Sequence, residues 1–226
     1  MSLARSRAFA AAALPLMLPL LLVLVMLMHL RNLQQFLDFK TTYVPTPPDV
    51  VVHALAGHGQ LPGLRVDPHV IAYLALPLLL LTARRLHRIA RVRRPRASAV
   101  AFGVTCIGAI YLGGLFGMWT AFFDGLSHLD ARDADGAVAT FAALTAPRGA
   151  FLLTTTLAKL GFVGLVLQGV VLWGRATPAR VAASCIVLGG ALILAFWDLD
   201  NWMLVGSLLL TAGVVAARRI GPDSDA

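Results

Sequence analysis

The sequence contains no glutamate and only two lysines among its 226 residues, and charged residues make up 13% of the chain. A soluble domain carries about 25% charged residues, so this composition excludes a soluble globular protein. Hydrophobic residues make up 58% of the chain. A chain this apolar buries enough surface to fold, which excludes a disordered protein. The class that remains is a polytopic membrane protein.

The sequence motifs of common enzyme classes are missing as well. It has no Cys-x-x-Cys pair, His-x-x-x-His box, P-loop, Gly-x-Ser-x-Gly motif or dinucleotide-binding glycine pattern. The two cysteines, Cys106 and Cys185, lie inside apolar runs. A cysteine in such a run is usually a packing residue and not half of a disulfide or a metal site. No motif therefore identifies a reaction.

Arginine is the charged residue that the sequence has in abundance. Its 17 arginines account for most of the formal net charge of +8. Seven of them lie between two apolar runs, at Arg84, Arg85, Arg88, Arg91, Arg93, Arg94 and Arg96. A basic cluster beside a membrane meets anionic lipid headgroups first. We therefore expect the lipid bilayer and other membrane subunits as partners, and we do not expect a nucleic acid partner.

The apolar runs predict an all-α bundle of six transmembrane helices, because about 20 apolar residues in a helix cross a bilayer. The whole chain, 1–226, is predicted to form one integral membrane domain. The second span is the shortest, since only residues 70–83 are uncharged there, and snorkelling arginines extend it. The predicted spans are about 8–30, 69–89, 99–123, 149–174, 181–197 and 201–217.

The segments between the spans are predicted to lie in water. Residues 31–68 contain many prolines and glycines and form the predicted extracytoplasmic loop. Residues 124–148 form a second polar loop, and residues 220–226 form a cytoplasmic tail. Within the third span, Ala109, Gly113 and Gly117 are spaced four apart. We expect this small-residue face to pack closely against a neighbouring helix.

The distribution of positive charge predicts the orientation. With both termini in the cytoplasm, the cytoplasmic segments hold 13 basic residues and the opposite side holds five, which are Arg31, Lys40, Arg65, Arg132 and Arg148. Cytoplasmic segments of membrane proteins carry the excess of lysine and arginine. The sequence therefore predicts a multi-pass protein of the inner (plasma) membrane with both termini inside.

This orientation gathers titratable residues at the outer face. Asp124 and His128 are four residues apart, a spacing that can present two ligands to one metal ion. His69 or His29 could supply a third ligand, and this set suits zinc, copper or iron. The alternative is that these residues cap helices and meet water at the membrane surface. The other histidines, His53, His58 and His87, are interpreted as solvated loop residues.

Lys159 is a second candidate, because it lies inside the fourth apolar run. It is ten residues from the start of that run, hence about 15 Å deep. An ionisable residue inside a membrane span is a functional candidate by default. Thr155 lies one turn earlier on the same face, and Asp124 and Asp198 are the candidate counter-charges. The structural alternative is a lysine that snorkels outward and stabilises the bundle through one ion pair.

Three functional hypotheses follow. The first is a small carrier or a membrane subunit of a larger assembly, with Lys159, Thr155, Asp124 and Asp198 as a charge relay or substrate contact. The second is a redox enzyme or subunit that holds a metal, haem or quinone through Asp124 and His128. The third is a purely structural accessory subunit, in which neither Lys159 nor His128 affects activity. The sequence leaves open whether the chain is an enzyme.

Overall fold

The computed structural model describes residues 20–23, 68–126, 133–146, 148–197 and 200–220. These residues form helices and turns without any strand, which confirms the all-α prediction. Residues 20–23, inside the predicted first span, are helical. The longer helices, in chain order, are α1 (Pro68–Leu74), α2 (Leu76–Ala90), α3 (Pro95–Leu126), α4 (Ala134–Leu144), α5 (Gly149–Ala158), α6 (Leu160–Leu172), α7 (Thr177–Ala195) and α8 (Asp200–Ala217).

Within the described residues, three helical segments are long and apolar enough to cross a membrane. They are Pro95–Leu126, Gly149–Leu172 and Thr177–Ala195, with 32, 24 and 19 residues. They match the predicted third, fourth and fifth spans. A shorter apolar helix, Trp202–Ala217, coincides with the predicted sixth span, and α1 with α2 covers the predicted second. The structure thus supports a helical membrane protein.

Two of the long helical segments are interrupted at a single residue. Ala75 separates α1 from α2, two residues before Pro77. Proline lacks the N–H that would continue the helical hydrogen-bond ladder, which accounts for this break. Lys159 separates α5 from α6, with backbone angles close to helical values (φ −59°, ψ −24°). The fourth predicted span is therefore one nearly continuous rod with its lysine at the interruption.

The prediction of a continuous polar loop over residues 124–148 is wrong. Helix α3 continues to Leu126, and α4 occupies Ala134–Leu144. The helix forms because Ala137 and Phe141 are buried with Leu126 in a small hydrophobic cluster. The aspartates around residue 133 raise the average polarity of this segment, so average polarity predicted a loop although one face of the helix is apolar.

Helices α3 and α6 cross with their backbones in direct contact. A Cβ atom on Gly108 would overlap the backbone of Gly161, and one on Gly164 would overlap the backbone and hydroxyl of Thr105. The predicted packing face lies on a different side of α3. A Cβ on Gly113 would be 3.4 Å from Leu76, and one on Gly117 would be 3.7 Å from Tyr73, which are ordinary packing distances. The closest helix approach thus uses Gly108.

Helices α7 and α8 form a second tightly packed pair. A Cβ on Gly189 would be 2.6 Å from the carbonyl oxygen of Gly206, and one on Gly206 would be 2.8 Å from the carbonyl oxygen of Gly189. Small residues at such crossings let helices approach through van der Waals contact, which is the main source of association in lipid. The main core lies between these pairs and α2, and its fully buried side chains include Leu79, Leu112, Leu165, Ile186 and Leu210.

Three arginine-bearing segments meet at one end of the bundle. The turn at residues 91–94 lies beside the end of α6 and beside Ile220, where α8 has ended. Arg94 also lies beside residues 173–175 and Arg180. Arg218 is close enough to Arg85 for the two positive charges to repel each other. We call this the arginine end, and the helix ends that carry Asp124 and Asp200 lie at the opposite end.

Candidate functional site

Lys159 lies against an aromatic side chain at the end of α7. Its ammonium group is 5.8 Å from the centre of the Trp197 ring. A cation within about 6 Å of an indole face is attracted by the negative potential of the ring. Phe162, one turn further along α6, contacts the same indole edge-on at 5.7 Å. Buried Phe162 and half-buried Lys159 and Trp197 therefore form one group, which we call the Lys159 site.

The depth of this site follows from the helix lengths. Lys159 is 13 residues from the end of α6 at Leu172, so its Cα lies about 20 Å from the arginine end. Trp197 lies two residues after the last residue of α7, at the end of that helix that is far from the arginine end. The lysine side chain thus runs from the bundle interior toward the end that bears Asp124 and Asp200. Long cationic side chains reach the membrane surface in this way.

Thr155 lies one turn before Lys159, as the sequence predicts. Its carbonyl oxygen accepts a hydrogen bond from the Lys159 backbone N–H at 3.3 Å. Its hydroxyl oxygen is buried without a hydrogen-bond partner. A buried hydroxyl without a partner loses the hydrogen bonds that it would make in water. Thr155 therefore places a hydroxyl group without a hydrogen-bond partner one helical turn from Lys159.

The two predicted counter-charges of Lys159 are Asp124 and Asp198, and Asp124 is exposed near the end of α3. Asp198 lies outside the described residues. The Lys159 ammonium group lies over the Trp197 ring. No sequence pattern pairs Trp197 with this lysine.

The candidate metal ligands are described only in part. His69 stacks on Phe123, with ring centres 5.0 Å apart, so it lies beside the residue that precedes Asp124. His128 and His29 lie outside the described residues. Among the residues that are described, no group of three histidine, cysteine or acidic side chains is arranged to hold a metal ion. Two of the four predicted ligands thus come to the same helix end.

An aromatic cluster surrounds this helix end, and sequence reasoning did not predict it. The ring of Trp119 lies between 5.4 and 6.2 Å from the rings of His69, Phe122, Phe123, Phe141 and Phe151. The spacing of Trp119, Phe122 and Phe123, at positions i, i+3 and i+4 of α3, is the signal that could have indicated it. The cluster connects α1, α3, α4 and α5 at one end.

His87 is also placed differently from the prediction. It is half-buried and not a solvated loop residue. Its Nδ1 is 2.7 Å from the hydroxyl of Ser98, which is fully buried and donates a hydrogen bond to the His87 carbonyl oxygen at 3.1 Å. His87 and Ser98 therefore connect α2 to α3 across the arginine-rich turn.

Two further polar features lie inside the bundle. Gln168 is fully buried, and its amide nitrogen is 3.4 Å from the Thr105 hydroxyl while its amide oxygen has no partner. Cys106 and Cys185 are free and half-buried, in keeping with packing residues.

The chain matches no protein-family model, and comparison with curated proteins and with solved structures finds no match.

Proposed function

We propose that this chain is a multi-pass protein of the inner membrane that works as a small carrier or as the membrane subunit of a larger assembly, without catalysis of its own. It crosses the bilayer six times, and both termini lie in the cytoplasm. The meeting of three arginine-bearing segments at one end of the bundle supports this topology. Cytoplasmic segments carry the positive excess, so the arginine end faces the cytoplasm.

The observation that carries the functional proposal is the position of Lys159. A lysine inside an apolar helix costs about 2.5–3.5 kcal/mol on membrane-insertion scales. Such a cost is tolerated where the charge serves transport, proton transfer or contact with a partner. Lys159 is half-buried over Trp197, and the hydroxyl of Thr155 is one turn away. We assign Lys159 and Thr155 to a solute or ion contact, with Asp124 and Asp198 as the proposed acidic partners.

Flux through reconstituted vesicles tests this assignment. Wild type, Lys159→Met and Lys159→Arg are compared for proton and chloride flux, with Arg148→Gln as the control that removes an exposed positive charge elsewhere. We expect Lys159→Met to lose flux and Lys159→Arg to keep part of it, since arginine retains the charge. Equal flux for wild type and Lys159→Met would contradict a carrier function. If Lys159→Met then also loses co-purifying subunits, the result favours a membrane subunit of a larger assembly.

Labelling from each side of the membrane tests the topology. Cys106 and Cys185 are first replaced by alanine, and single cysteines are then placed at Arg91 or Asp135. We expect a membrane-impermeant reagent to reach position 135 from outside intact cells and position 91 only after the membrane is opened. Label at position 91 in intact cells would reverse the orientation and place the Lys159 site toward the cytoplasm.

A redox function at the aromatic end is the second candidate. The stacking of His69 on Phe123 favours it, because this contact brings His69 to the helix end that carries Asp124. In this alternative Asp124, His128, His69 and His29 hold a metal or haem, or contact a quinone. Elemental analysis and an absorption spectrum of the purified protein test the idea. Protein without stoichiometric metal and without a chromophore would contradict it.

A further inference from the structure

A basic cavity opens at the arginine end, between the α2–α3 turn and the α6–α7 connection. It has a volume of about 330 Å³ and is lined by Arg94, Trp173, Gly174, Arg175 and Arg180. Arg180 is in the first turn of α7, and its Nε donates a hydrogen bond to the carbonyl oxygen of Gly174 at 3.3 Å. That bond uses the Nε–H, so the terminal N–H groups of the guanidinium remain available to a ligand.

Within the part of the chain that the structure describes, the charged side chains around this cavity are all positive. The acidic residues that the structure describes are Asp124, Asp133, Asp135 and Asp200, and all of them belong to helix ends away from the arginine end. The amino terminus of α7 adds positive potential, and its N-cap residue, Ala176, has no side chain that could cap it. Three guanidinium groups held together repel one another, and an anion between them relieves that repulsion.

Apolar surface lies directly beside the cavity. Trp173, which lines it, is 50% exposed. The preceding residue, Leu172, lines a second cavity of about 210 Å³, in which Ile89, Val171 and Ile220 supply apolar surface and Arg88 and Arg93 add two more guanidinium groups. Planar guanidinium groups bind phosphate oxygens in pairs, and a tryptophan at the rim is typical of the membrane interface. The combination of phosphate-binding and apolar surface fits a lipid better than a free anion.

We propose that Arg94, Arg175 and Arg180 bind the phosphate of an anionic phospholipid headgroup at the membrane surface. The proposal rests on the membrane placement given under the proposed function, and it is independent of the Lys159 site. Each basic residue near an anionic membrane surface contributes about 1 kcal/mol, which corresponds to about fivefold in affinity. Removal of two of the three charges should thus weaken binding about 25-fold.

The experiment compares full-length protein in phosphatidylcholine nanodiscs with and without phosphatidylglycerol. Native mass spectrometry and lipid exchange measure retention of phosphatidylglycerol by wild type, by Arg175→Gln/Arg180→Gln and by Arg84→Gln/Arg219→Gln. The last variant is the matched control, because it removes two exposed positive charges from the same end without touching the cavity. We expect retention to fall about 25-fold or more in the cavity variant and by a clearly smaller factor in the control, because the control lowers the general surface charge without removing a ligand of the phosphate.

Three outcomes would overturn the proposal. Wild type could show no preference for phosphatidylglycerol over phosphatidylcholine. The cavity variant and the control could lose retention equally, which would indicate diffuse surface charge. Inorganic phosphate could bind in phosphatidylcholine discs with the same dependence on Arg175 and Arg180, which would assign the cavity to a soluble anion. A single variant, Arg94→Gln, repeats the comparison if the double variant is not well folded. The accessibility of position 91 reports separately on the topology.

Discussion

Gly108 of α3 lies directly against the backbone of Gly161 of α6, so a Cβ on Gly108 would overlap that backbone, whereas a Cβ on Gly161 would lie 2.7 Å from the end of the Leu112 side chain. We expect Gly108→Ala to destabilise the protein by about 1–3 kcal/mol, because the added methyl overlaps the Gly161 backbone and the helices must separate. Unfolding in mixed micelles measures this. Gly103→Ala is the matched control, since a Cβ there meets nothing within 4 Å. Equal stability of the two variants would contradict the crossing.

Ser98→Ala should destabilise the connection between α2 and α3. The substitution removes the contacts of the Ser98 hydroxyl with the imidazole and the carbonyl oxygen of His87. Loss of a buried hydrogen bond costs about 1–3 kcal/mol when a partner is left unsatisfied. Hydrogen exchange at the α2–α3 turn, measured by mass spectrometry, should therefore increase. Ser184→Ala, at a half-buried serine of α7, serves as the control and should leave that turn unchanged.

Gln168→Met should leave stability unchanged or raise it. The glutamine buries an amide oxygen without a partner, and its bond to Thr105 is long at 3.4 Å. A methionine of similar shape removes the cost of that buried polar atom. Leu165→Ala, one turn earlier at another fully buried position, should instead cost about 2–5 kcal/mol. A marked loss of stability in Gln168→Met would indicate that the amide oxygen has a partner, such as a buried water.

The Lys159→Met variant should show whether Lys159 has a functional role or a purely structural one. Removal of the charge from the apolar helix eliminates the insertion cost of about 2.5–3.5 kcal/mol, less whatever the Trp197 contact returns. We therefore expect Lys159→Met to have an unchanged or higher melting temperature in detergent and to lose flux in reconstituted vesicles. Trp197→Leu keeps the charge and removes the contact, so it should lower the melting temperature. A large drop in Lys159→Met would favour the purely structural role.

Hydropathy predicted the first and last residues of a helix best where packing against neighbouring elements does not change them. The predicted spans at 181–197 and 201–217 correspond to Thr177–Ala195 and Asp200–Ala217. The segment 99–123 is longer in the structure, at Pro95–Leu126, because polar residues at both ends continue the helix. The break at Ala75 could have been predicted from Pro77, whereas the break at Lys159 has no proline to indicate it.

Side-chain partners were harder to predict, because they depend on how helices face each other. The spacing of Ala109, Gly113 and Gly117 indicated a small-residue face, but the closest crossing uses Gly108, one position away. One residue turns a helix by about 100°, so the choice of face needs the neighbouring helix. The contact between Lys159 and Trp197 joins α7 to the α5–α6 break, and no spacing within one helix could predict it.

Among the described residues, the four aspartates lie at one end of the bundle and every arginine except Arg148 lies at the other, so these charges form an electric dipole along the bundle axis. A membrane potential that is negative inside acts on such a dipole with about 2.3 kcal/mol per elementary charge per 100 mV. With the arginine end in the cytoplasm, as proposed, insertion in the reverse sense would carry that end across the bilayer against the field. Every copy should consequently enter the membrane the same way round, and any pair of copies that associates side by side should be parallel.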